Sequence, residues 1–270
     1  MVIDTVSTMN RRLVGWTALV TALFFGLAND LQATEKLVLS TPELTADTVV
    51  SEMILKEAYR RIGINVTIKK FPPERSLHEA NNGKVDGEVQ RIGSISEIYH
   101  NLRRVDPTIN FLEGITFTAN ADAVINSWPD LKPFRVGILR GIKFVEANTK
   151  GLKVYAAGNH REMFRMLNKG RFDVVVAPRF SANFFIRANK LESIRELPKP
   201  LVRLDLFHYL HKRHEALVPR VSATLQAMSD AGELIAIRKH VMARQLDQAE
   251  KGAPFCNAED GCMTLPAKPD

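Results

Sequence analysis

Two arginines follow predicted strands and are the residues best suited to hold an anion. Arg91 comes directly after the short strand 88–90 and lies two residues before Gly93. Arg179 follows the predicted strand 172–177 in a similar way. A guanidinium presents several N–H donors in a planar fork that matches carboxylates and phosphates. A plain surface arginine is the simpler interpretation of Arg91, and its own stretch of sequence leaves both interpretations open.

Three histidines close together suggest a metal site, but their arrangement does not favour one. His208 lies on a predicted strand, whereas His211 and His214 lie in the turn that follows it. The three side chains would converge only around a special bend, and no further ligand stands at zinc-like spacing. The sequence also lacks a Gly-rich phosphate loop, a serine nucleophile elbow and a catalytic Cys–His pair. We therefore predict neither a metal nor a cofactor.

The composition is that of a globular protein with a basic surface. The chain has 270 residues, of which 45% are hydrophobic and 25% charged, and its formal net charge is +7. This charge favours anionic partners, such as small acidic solutes, phosphates or an anionic membrane face. The basic residues are spread along the chain without zinc-finger spacing or an RNA-binding aromatic pattern. Nucleic acid is therefore not an expected partner.

Residues 1–33 are typical of a secretory signal. Arg11 and Arg12 precede the uncharged apolar run 13–27, which is short for a membrane span and suits a signal peptide. Cleavage after Ala33 would leave a soluble chain in the periplasm. An uncleaved membrane anchor is the alternative interpretation of the same segment.

Both cysteines of the chain, Cys256 and Cys262, fall in the C-terminal tail 248–270. In an oxidising compartment two cysteines so close in a flexible tail are expected to form a disulfide. The loop that it closes is small, so its main effect would be to tie down the tail.

The remaining sequence contains two similar sets of alternating strands and helices. The first third is predicted to be strand–helix–strand–helix–strand, which indicates a parallel sheet covered by helices. The segment LHEANNGKVDGEVQR has a counterpart in MFRMLNKGRFDVVVAPR, so Arg91 and Arg179 occupy comparable places. Between the sets, 109–117 and 123–125 are predicted to be extended. Two helices, 215–230 and 232–246, precede the tail.

This order of elements resembles the family 3 extracellular solute-binding proteins of bacterial ABC importers. The resemblance covers about residues 35 to 247. The matching motifs are Pro73-Glu74-Arg75, Asn82-Gly83-Lys84-Val85-Asp86-Gly87, Phe117-Thr118, the run 166–173 and the run 209–214. The resemblance implies an α/β fold of the two-lobe type II periplasmic-binding class, with hinge crossings and a central ligand cleft. Lobe I would comprise 34–118 plus 204–247, and lobe II would comprise 122–200.

In such proteins the ligand lies between the lobes, at the carboxyl ends of the strands and facing helix N-termini. The residues that the resemblance assigns to this cleft are Thr41, Glu43, Arg75 and Arg91 from lobe I, and Arg140, Asn159, His160 and Arg179 from lobe II.

The chain departs from the family pattern where amino acids are usually held. The arginine that clamps the ligand carboxylate falls near Asn101 when positions are counted back from Val105. The aspartate that takes the α-amino group is replaced by Arg179. A cleft with several converging arginines would suit an anion, such as a carboxylate or dicarboxylate.

Three functions are compatible with the sequence. The first is a monomeric, non-catalytic binding protein that delivers its ligand to the membrane permease of an ABC importer. The second is a periplasmic enzyme on the same fold, similar to cyclohexadienyl dehydratase. Its candidate acids and bases would be Glu43, Glu74, Glu88 and His160. The third is a sensory binding protein that presents its ligand to a membrane receptor.

Overall fold

The computed structural model describes residues 35–42, 46–253, 255–256 and 263–266. The predicted signal segment, Glu43 and Cys262 lie outside these residues, so the export signal and the disulfide stay predictions. Within the described part of the chain, none of the helices combines the length and apolar character needed to cross a membrane.

Strands and helices alternate along the described residues, as expected for an α/β fold. The strands are β1 (Glu35–Pro42), β2 (Ile64–Phe71), β3 (Gly87–Ile92), β4 (Leu102–Thr118), β5 (Val136–Leu139), β6 (Val154–Ala157), β7 (Val174–Pro178), β8 (Arg195–Glu196) and β9 (Val202–His211). The helices are α1 (Ala46–Arg61), α2 (Pro73–Asn81), α3 (Lys143–Asn148), α4 (His160–Asn168), α5 (Arg179–Ala188), α6 (Val218–Asp230) and α7 (Glu233–Glu250). Short 3-10 turns cover Gly93–Glu97, Trp128–Leu131 and Lys212–Leu217.

The strands form one mixed sheet with the order β2-β1-β3-β9-β4-β7-β5-β6, and β8 pairs with β4. Strands β1, β2 and β3 are parallel to one another, as are β5, β6 and β7. The long strands β4 and β9 are antiparallel and join the two sets. Because they contribute to both halves, we name the halves by their other elements. Lobe I contains β1–β3, α1, α2, α6 and α7, and lobe II contains β5–β8 and α3–α5.

The two sets of parallel strands point toward the same central part of the sheet. Strand β3 pairs with β9 from Gly87 opposite Leu210 to Ile92 opposite Leu206, so it runs toward the start of β9. Strand β7 ends with Pro178 opposite Gly114, in the middle of β4. The carboxyl ends of both sets therefore meet at the junction formed by β4 and β9, where open α/β sheets commonly bind ligands.

Each lobe has its own apolar core. In lobe I the helices α1, α6 and α7 bury aliphatic side chains such as Ile54, Leu225 and Ile237 against one sheet face. In lobe II a cluster around Phe164 packs between α4, α5 and the sheet. The opposite face of that sheet is covered by α3 through Val145. Separate cores are consistent with lobes that move as units about the shared strands.

Local sequence signals explain the ends of the helix nearest to Arg91. Pro73 is the first residue of α2, a position at which its missing N–H costs nothing. The helix gives way to Gly83, which has a φ of 69°. Asp86 precedes β3, and Gly87 is the first residue of that strand. An added Cβ at Gly87 would lie 2.3 Å from the carbonyl oxygen of Tyr209. Gly87 is therefore required by the close approach of β9.

The structure differs from the sequence predictions in three places. Strand β4 begins at Leu102 and not at residue 109, and the segment 123–125 is not a strand. Arg91 is the penultimate residue of β3, whereas Arg179 is the first residue of α5. The predicted residue boundaries of the lobes stay a prediction, since β4 and β9 serve both.

Candidate ligand-binding site

Glu88 is a fully buried carboxylate near the carboxyl edge of lobe I. Its Oε2 atom accepts hydrogen bonds from Ser40 Oγ and Ser76 Oγ, both at 2.6 Å. Ser40 comes from β1 and Ser76 from α2, so the carboxylate links three neighbouring elements. Burial raises the pKa of Glu88, while the charge of Arg91 and the two serine hydroxyls oppose that shift.

A β-bulge brings Arg91 to the same side of the sheet as Glu88. In a regular strand, residues three apart point to opposite faces. Here Glu88 lies opposite Tyr209 and Arg91 lies opposite Phe207, so β3 contains one residue more than β9 in this interval. The extra residue restores the alignment of the two charged side chains. Bulges of this kind often redirect side chains beside functional sites.

The guanidinium of Arg91 is already engaged inside lobe I. Its Nη2 atom lies 2.9 Å from Glu88 Oε1 and donates a hydrogen bond to the carbonyl oxygen of Pro73 at 3.0 Å. The contact with Glu88 is an ion pair without hydrogen-bond geometry. Among the described residues, Glu88 Oε1 and Arg91 Nε therefore lack a hydrogen-bond partner although both are buried. The side chain of Arg91 remains 16% exposed.

His208 contacts the backbone of Glu88 at the bulge and is not arranged as a metal ligand. Its Nδ1 atom lies 2.8 Å from the carbonyl oxygen of Glu88, and its Nε2 atom lies 2.8 Å from the hydroxyl of Tyr59. Burial lowers the pKa of His208 to about 4, so the ring is neutral and donates from Nδ1 while accepting from Tyr59. His214 instead contacts Asp86 at 2.7 Å. No group of three or more potential metal ligands occurs in the part of the chain that the structure describes.

At the facing edge, lobe II presents the start of α4. Asn159 caps this helix, because its Oδ1 atom accepts a hydrogen bond from the Glu162 backbone at 2.9 Å. His160 stacks on Phe164 and on Phe185 of α5, with ring centroids 6.4 and 6.2 Å away. Burial lowers the pKa of His160, so the ring is a neutral hydrogen-bonding group near pH 7. Its Nε2 atom is buried and has no partner among the described residues.

Arg140 lies close to this helix start but is exposed. Its backbone N–H donates to the carbonyl oxygen of Ala157 at 3.0 Å, which fixes it beside the end of β6 and near Asn159. The structure thus brings Arg140, Asn159 and His160 to one edge of lobe II.

Arg179 is held by two carboxylates. Its Nη1 atom pairs with Glu113 of β4, and its Nε atom lies 3.6 Å from Glu196 of β8. The second contact lacks hydrogen-bond geometry, so Nε has no hydrogen-bond partner among the described residues. Arg179 is therefore tied to the strand that both lobes share.

The junction between the lobes contains a further charged group that the sequence analysis missed. The ring of Phe111 on β4 has Arg203 on one side at 3.7 Å and Arg238 of α7 on another at 3.9 Å, measured to the ring centroid. Arg238 also lies 3.7 Å from Asp47 in the first turn of α1. Burial raises the pKa of Asp47 to about 6. The charge of Arg238 opposes this shift, and the charge of Glu113 adds to it.

No local motif could have identified this junction, because its members come from four elements that are distant in sequence. Asp47 is an acidic residue in the first turn of α1, which is ordinary helix chemistry and gives no sign of a junction.

The other predicted site residues differ in their surroundings. Thr41 is the penultimate residue of β1 and is buried, and its Oγ1 atom has no hydrogen-bond partner within the described ranges. Arg75 is 64% exposed and lies 3.5 Å from Glu79 on the same helix. Glu43 falls outside the described residues. The structure groups Arg75 and Arg91 around the start of α2, since Arg91 donates to Pro73.

Asn101, where the carboxylate-clamping arginine was expected to fall, lies beside the end of α2. It precedes β4 and donates two hydrogen bonds to Asn81, from its backbone N–H to Oδ1 at 3.1 Å and from Nδ2 to the carbonyl oxygen at 2.9 Å. This is the amino-terminal edge of lobe I, away from Arg91. The segment that follows β3 is the 3-10 turn Gly93–Glu97.

No protein-family model matches the chain. An uncharacterized protein of Shewanella oneidensis is 25% identical over 207 residues, which are 74% of this chain and 78% of that protein. Sequence comparison by itself therefore supplies a relative without a stated function.

Solved structures show what kind of fold this is. An ancestral arginine-binding protein bound to arginine has a TM-score of 0.59 at 18% identity and covers 76% of this chain and 96% of its own. The GluR0 ligand-binding core with L-glutamate reaches 0.61 at 14% identity, with 79% and 97% covered. A histidine kinase sensor domain similar to periplasmic binding proteins reaches 0.60 at 13% identity, with 77% and 96% covered.

These likenesses establish the fold. The chain has the two-lobe type II periplasmic-binding fold, as predicted from its sequence. The bound molecules of two neighbours, arginine and glutamate, carry opposite net charges, so the fold leaves the ligand of this chain open.

Proposed function

We propose that this chain is a periplasmic solute-binding protein whose lobes close over a small carboxylate-bearing molecule. One observation supports this most directly. Thr41, Arg91, His160 and Arg179 each contain a buried polar side-chain atom without a hydrogen-bond partner among the described residues. Thr41 and Arg91 lie near the carboxyl ends of lobe I strands, and His160 and Arg179 follow the carboxyl ends of lobe II strands. An unsatisfied buried polar atom costs about 1–3 kcal/mol, so such a set is typical of groups reserved for a ligand or ordered water.

The donors in this set suit an anion. Arg91 and Arg179 supply charged N–H groups, and neutral His160 can donate one hydrogen bond. Two exposed residues, Arg75 in lobe I and Arg140 in lobe II, add positive charge beside these groups. A ligand that contacts both lobes at once would favour the closed state, which is how binding becomes a conformational signal.

A thermal-shift panel tests the proposal. The purified protein would be heated with succinate, L-glutamate, L-arginine and sulfate, each over a range of concentrations. A ligand at about 100 times its dissociation constant adds about 2.7 kcal/mol of stability, which raises Tm by several degrees. We expect a carboxylate to give this rise in the wild type and Arg91→Ala to abolish it, with the rise in each protein measured from its own ligand-free Tm, because the loss of Arg91 leaves the buried Glu88 unpaired.

Arg171→Ala is the matched control for this panel. Arg171 is exposed and precedes β7, at the opposite end from Arg179. This variant should keep the whole ligand-induced rise. Stabilisation by cationic or neutral amino acids alone would contradict the proposed anion class.

For the biological role we propose import through an ABC permease, with presentation to a receptor as the alternative. The likeness to a histidine kinase sensor domain favours considering that alternative. Uptake of the radiolabelled ligand in cells with and without the gene separates the two roles. Loss of uptake supports import, whereas unchanged uptake with loss of a transcriptional response supports sensing.

A further inference from the structure

The contacts of Arg91 limit how it can bind a carboxylate. A guanidinium grips a carboxylate bidentately through one of two edges, Nε with Nη2 or Nη1 with Nη2. Nη2 belongs to both edges. In this structure Nη2 donates to Pro73 and lies 2.9 Å from Glu88 Oε1. Each of the two donor edges of Arg91 therefore already contacts an oxygen atom of the protein.

Glu88 cannot easily withdraw from this contact. Its other oxygen accepts two 2.6 Å hydrogen bonds from serine hydroxyls on β1 and α2. Its backbone is held by His208, and its side chain is fully buried. Its ion pair with Arg91 and its two hydroxyl donors favour the ionised form, so the carboxylate is a fixed negative charge beside that arginine.

A ligand carboxylate bound to Arg91 would lie close to this fixed charge. Like charges a few ångströms apart repel strongly in a poorly solvated site. Together Arg91 and Glu88 carry no net charge, so the edge offers hydrogen bonds but little electrostatic attraction. This edge of lobe I should therefore bind a ligand group with one negative charge more tightly than one with two.

We infer that Glu88 is a specificity-determining residue that competes with the ligand for Arg91 and so disfavours multiply charged anions. This inference rests on the proposed function, in which Arg91 contacts the ligand. It opposes the simpler interpretation that Glu88 only positions Arg91. The two interpretations predict opposite effects when the charge of Glu88 is removed, because a competitor weakens binding and a positioning group strengthens it.

Isosteric probe pairs measure the effect of charge at constant shape. Succinate and succinamate form one pair, and L-glutamate and L-glutamine form the other, with each second member lacking one negative charge. Their affinities for wild type and Glu88→Gln would be measured by calorimetry at low salt. We expect the variant to shift the affinity ratio of at least one pair about tenfold toward the more anionic member.

Glu79→Gln is the matched control for this measurement. Glu79 is another carboxylate of lobe I, but its contacts are with Arg75 at 3.5 Å and Lys84 at 3.6 Å. Removing its charge should change the ratio less than threefold, since surface ion pairs are weak and screened. An equal change in both variants would show a general effect of net charge and overturn the inference.

Glu88→Asp covers the case in which Glu88→Gln does not fold. It keeps the buried charge but withdraws the carboxylate by one methylene from Arg91. We expect the same direction of change with a smaller size. If both Glu88 variants lose binding as Arg91→Ala does, Glu88 is a positioning residue and the competitor role is wrong while the proposed function survives.

The proposed function fails in a different way. Binding that is unchanged in Arg91→Ala would show that this arginine is not a ligand contact, whatever the Glu88 variants do. If neither pair binds to the wild type or to any Glu88 variant, the cleft is not an anion site and both proposals are overturned.

Discussion

The two edges that face the junction hold their arginines by different means. In lobe I, Arg91 pairs with Glu88 of the same strand, and both are braced by α2 and by the neighbouring strands. In lobe II, Arg179 begins a helix and reaches across to Glu113 on β4. The first pair is therefore internal to one lobe, whereas the second depends on the strand about which the lobes would move. Changes near Arg91 should affect the fold of lobe I, and changes near Arg179 should affect the junction.

The largest effect on stability is expected for Tyr59, in the interior of lobe I. Tyr59 is fully buried, and its hydroxyl holds His208, which in turn holds the backbone of Glu88. Tyr59→Ala should destabilise the fold by about 3–5 kcal/mol through the lost packing and the unsatisfied imidazole. Urea denaturation at fixed pH measures this free energy of unfolding.

Tyr155→Ala provides the comparison for that change, because Tyr155 is 50% exposed in lobe II. It should cost less than about 1 kcal/mol. Similar losses in the two variants would mean that the Tyr59 and His208 contacts do not brace lobe I.

The pH dependence of stability should separate the contacts of His208 with Glu88 and Tyr59 from the contact of Asp47 with Arg238. The pKa of His208 falls from 6.5 to about 4 on folding, so its contribution is present above pH 6.5 and is lost as pH falls toward about 4. The pKa of Asp47 rises from 3.8 to about 6, so its contribution is present below pH 3.8 and is lost as pH rises through about 6. Each amounts to about 3 kcal/mol across its window.

These opposite slopes overlap between about pH 4 and pH 6, where they offset each other in the wild type. His208→Gln should remove the part of the unfolding free energy that increases with pH. Asp47→Asn should remove the part that decreases with pH. Urea titrations of both variants and the wild type at several pH values give the two difference curves. Curves with the same sign would refute the assignment of the slopes to these residues.

A smaller effect tests the junction itself. Glu113→Gln keeps the shape of the side chain but replaces a charged hydrogen bond to Arg179 with a neutral one. We expect a loss of about 1 kcal/mol. Glu196→Gln alters the second, more exposed partner of Arg179 and should cost less than about 0.5 kcal/mol. Equal losses would mean that the shared strand has no special part in holding Arg179.

Local sequence signals explain why much of the fold was predictable. Pro73 at the start of α2, the cap Asn159 before α4 and the glycines that follow α1, α2 and α4 are sequence signals that match the observed helix ends. The start of β4 was missed because residues 102–108 contain Arg103, Arg104 and Pro107, which weaken any strand pattern. The segment 123–125 was wrongly predicted as extended because a short apolar run is compatible with buried loop residues as well.

The site was less predictable, because its character depends on pairings. The sequence locates Arg91 and Arg179 near strand ends, but not the bulge that turns Arg91 toward Glu88. It also cannot indicate that Arg179 meets Glu113, since these residues are 66 apart in the chain and belong to different elements. Arginines that look free in a sequence are therefore partly neutralised in the fold.

An effect of similarly small size concerns the start of α4, where Asn159 is the N-cap residue. Its side chain satisfies the backbone N–H of Glu162, so Asn159→Ala should destabilise the fold by about 1 kcal/mol. Asn189 is a suitable control, because its side chain donates at the opposite end of a helix, to the carbonyl oxygen of Phe185. Asn189→Ala should cost a few tenths of a kcal/mol. Thermal denaturation resolves such differences when the two variants are measured side by side. A larger loss for Asn189→Ala would mean that the junction-facing helix start is no more constrained than an ordinary helix end, and the contrast between the two edges would then rest on Glu88 and Glu113 alone.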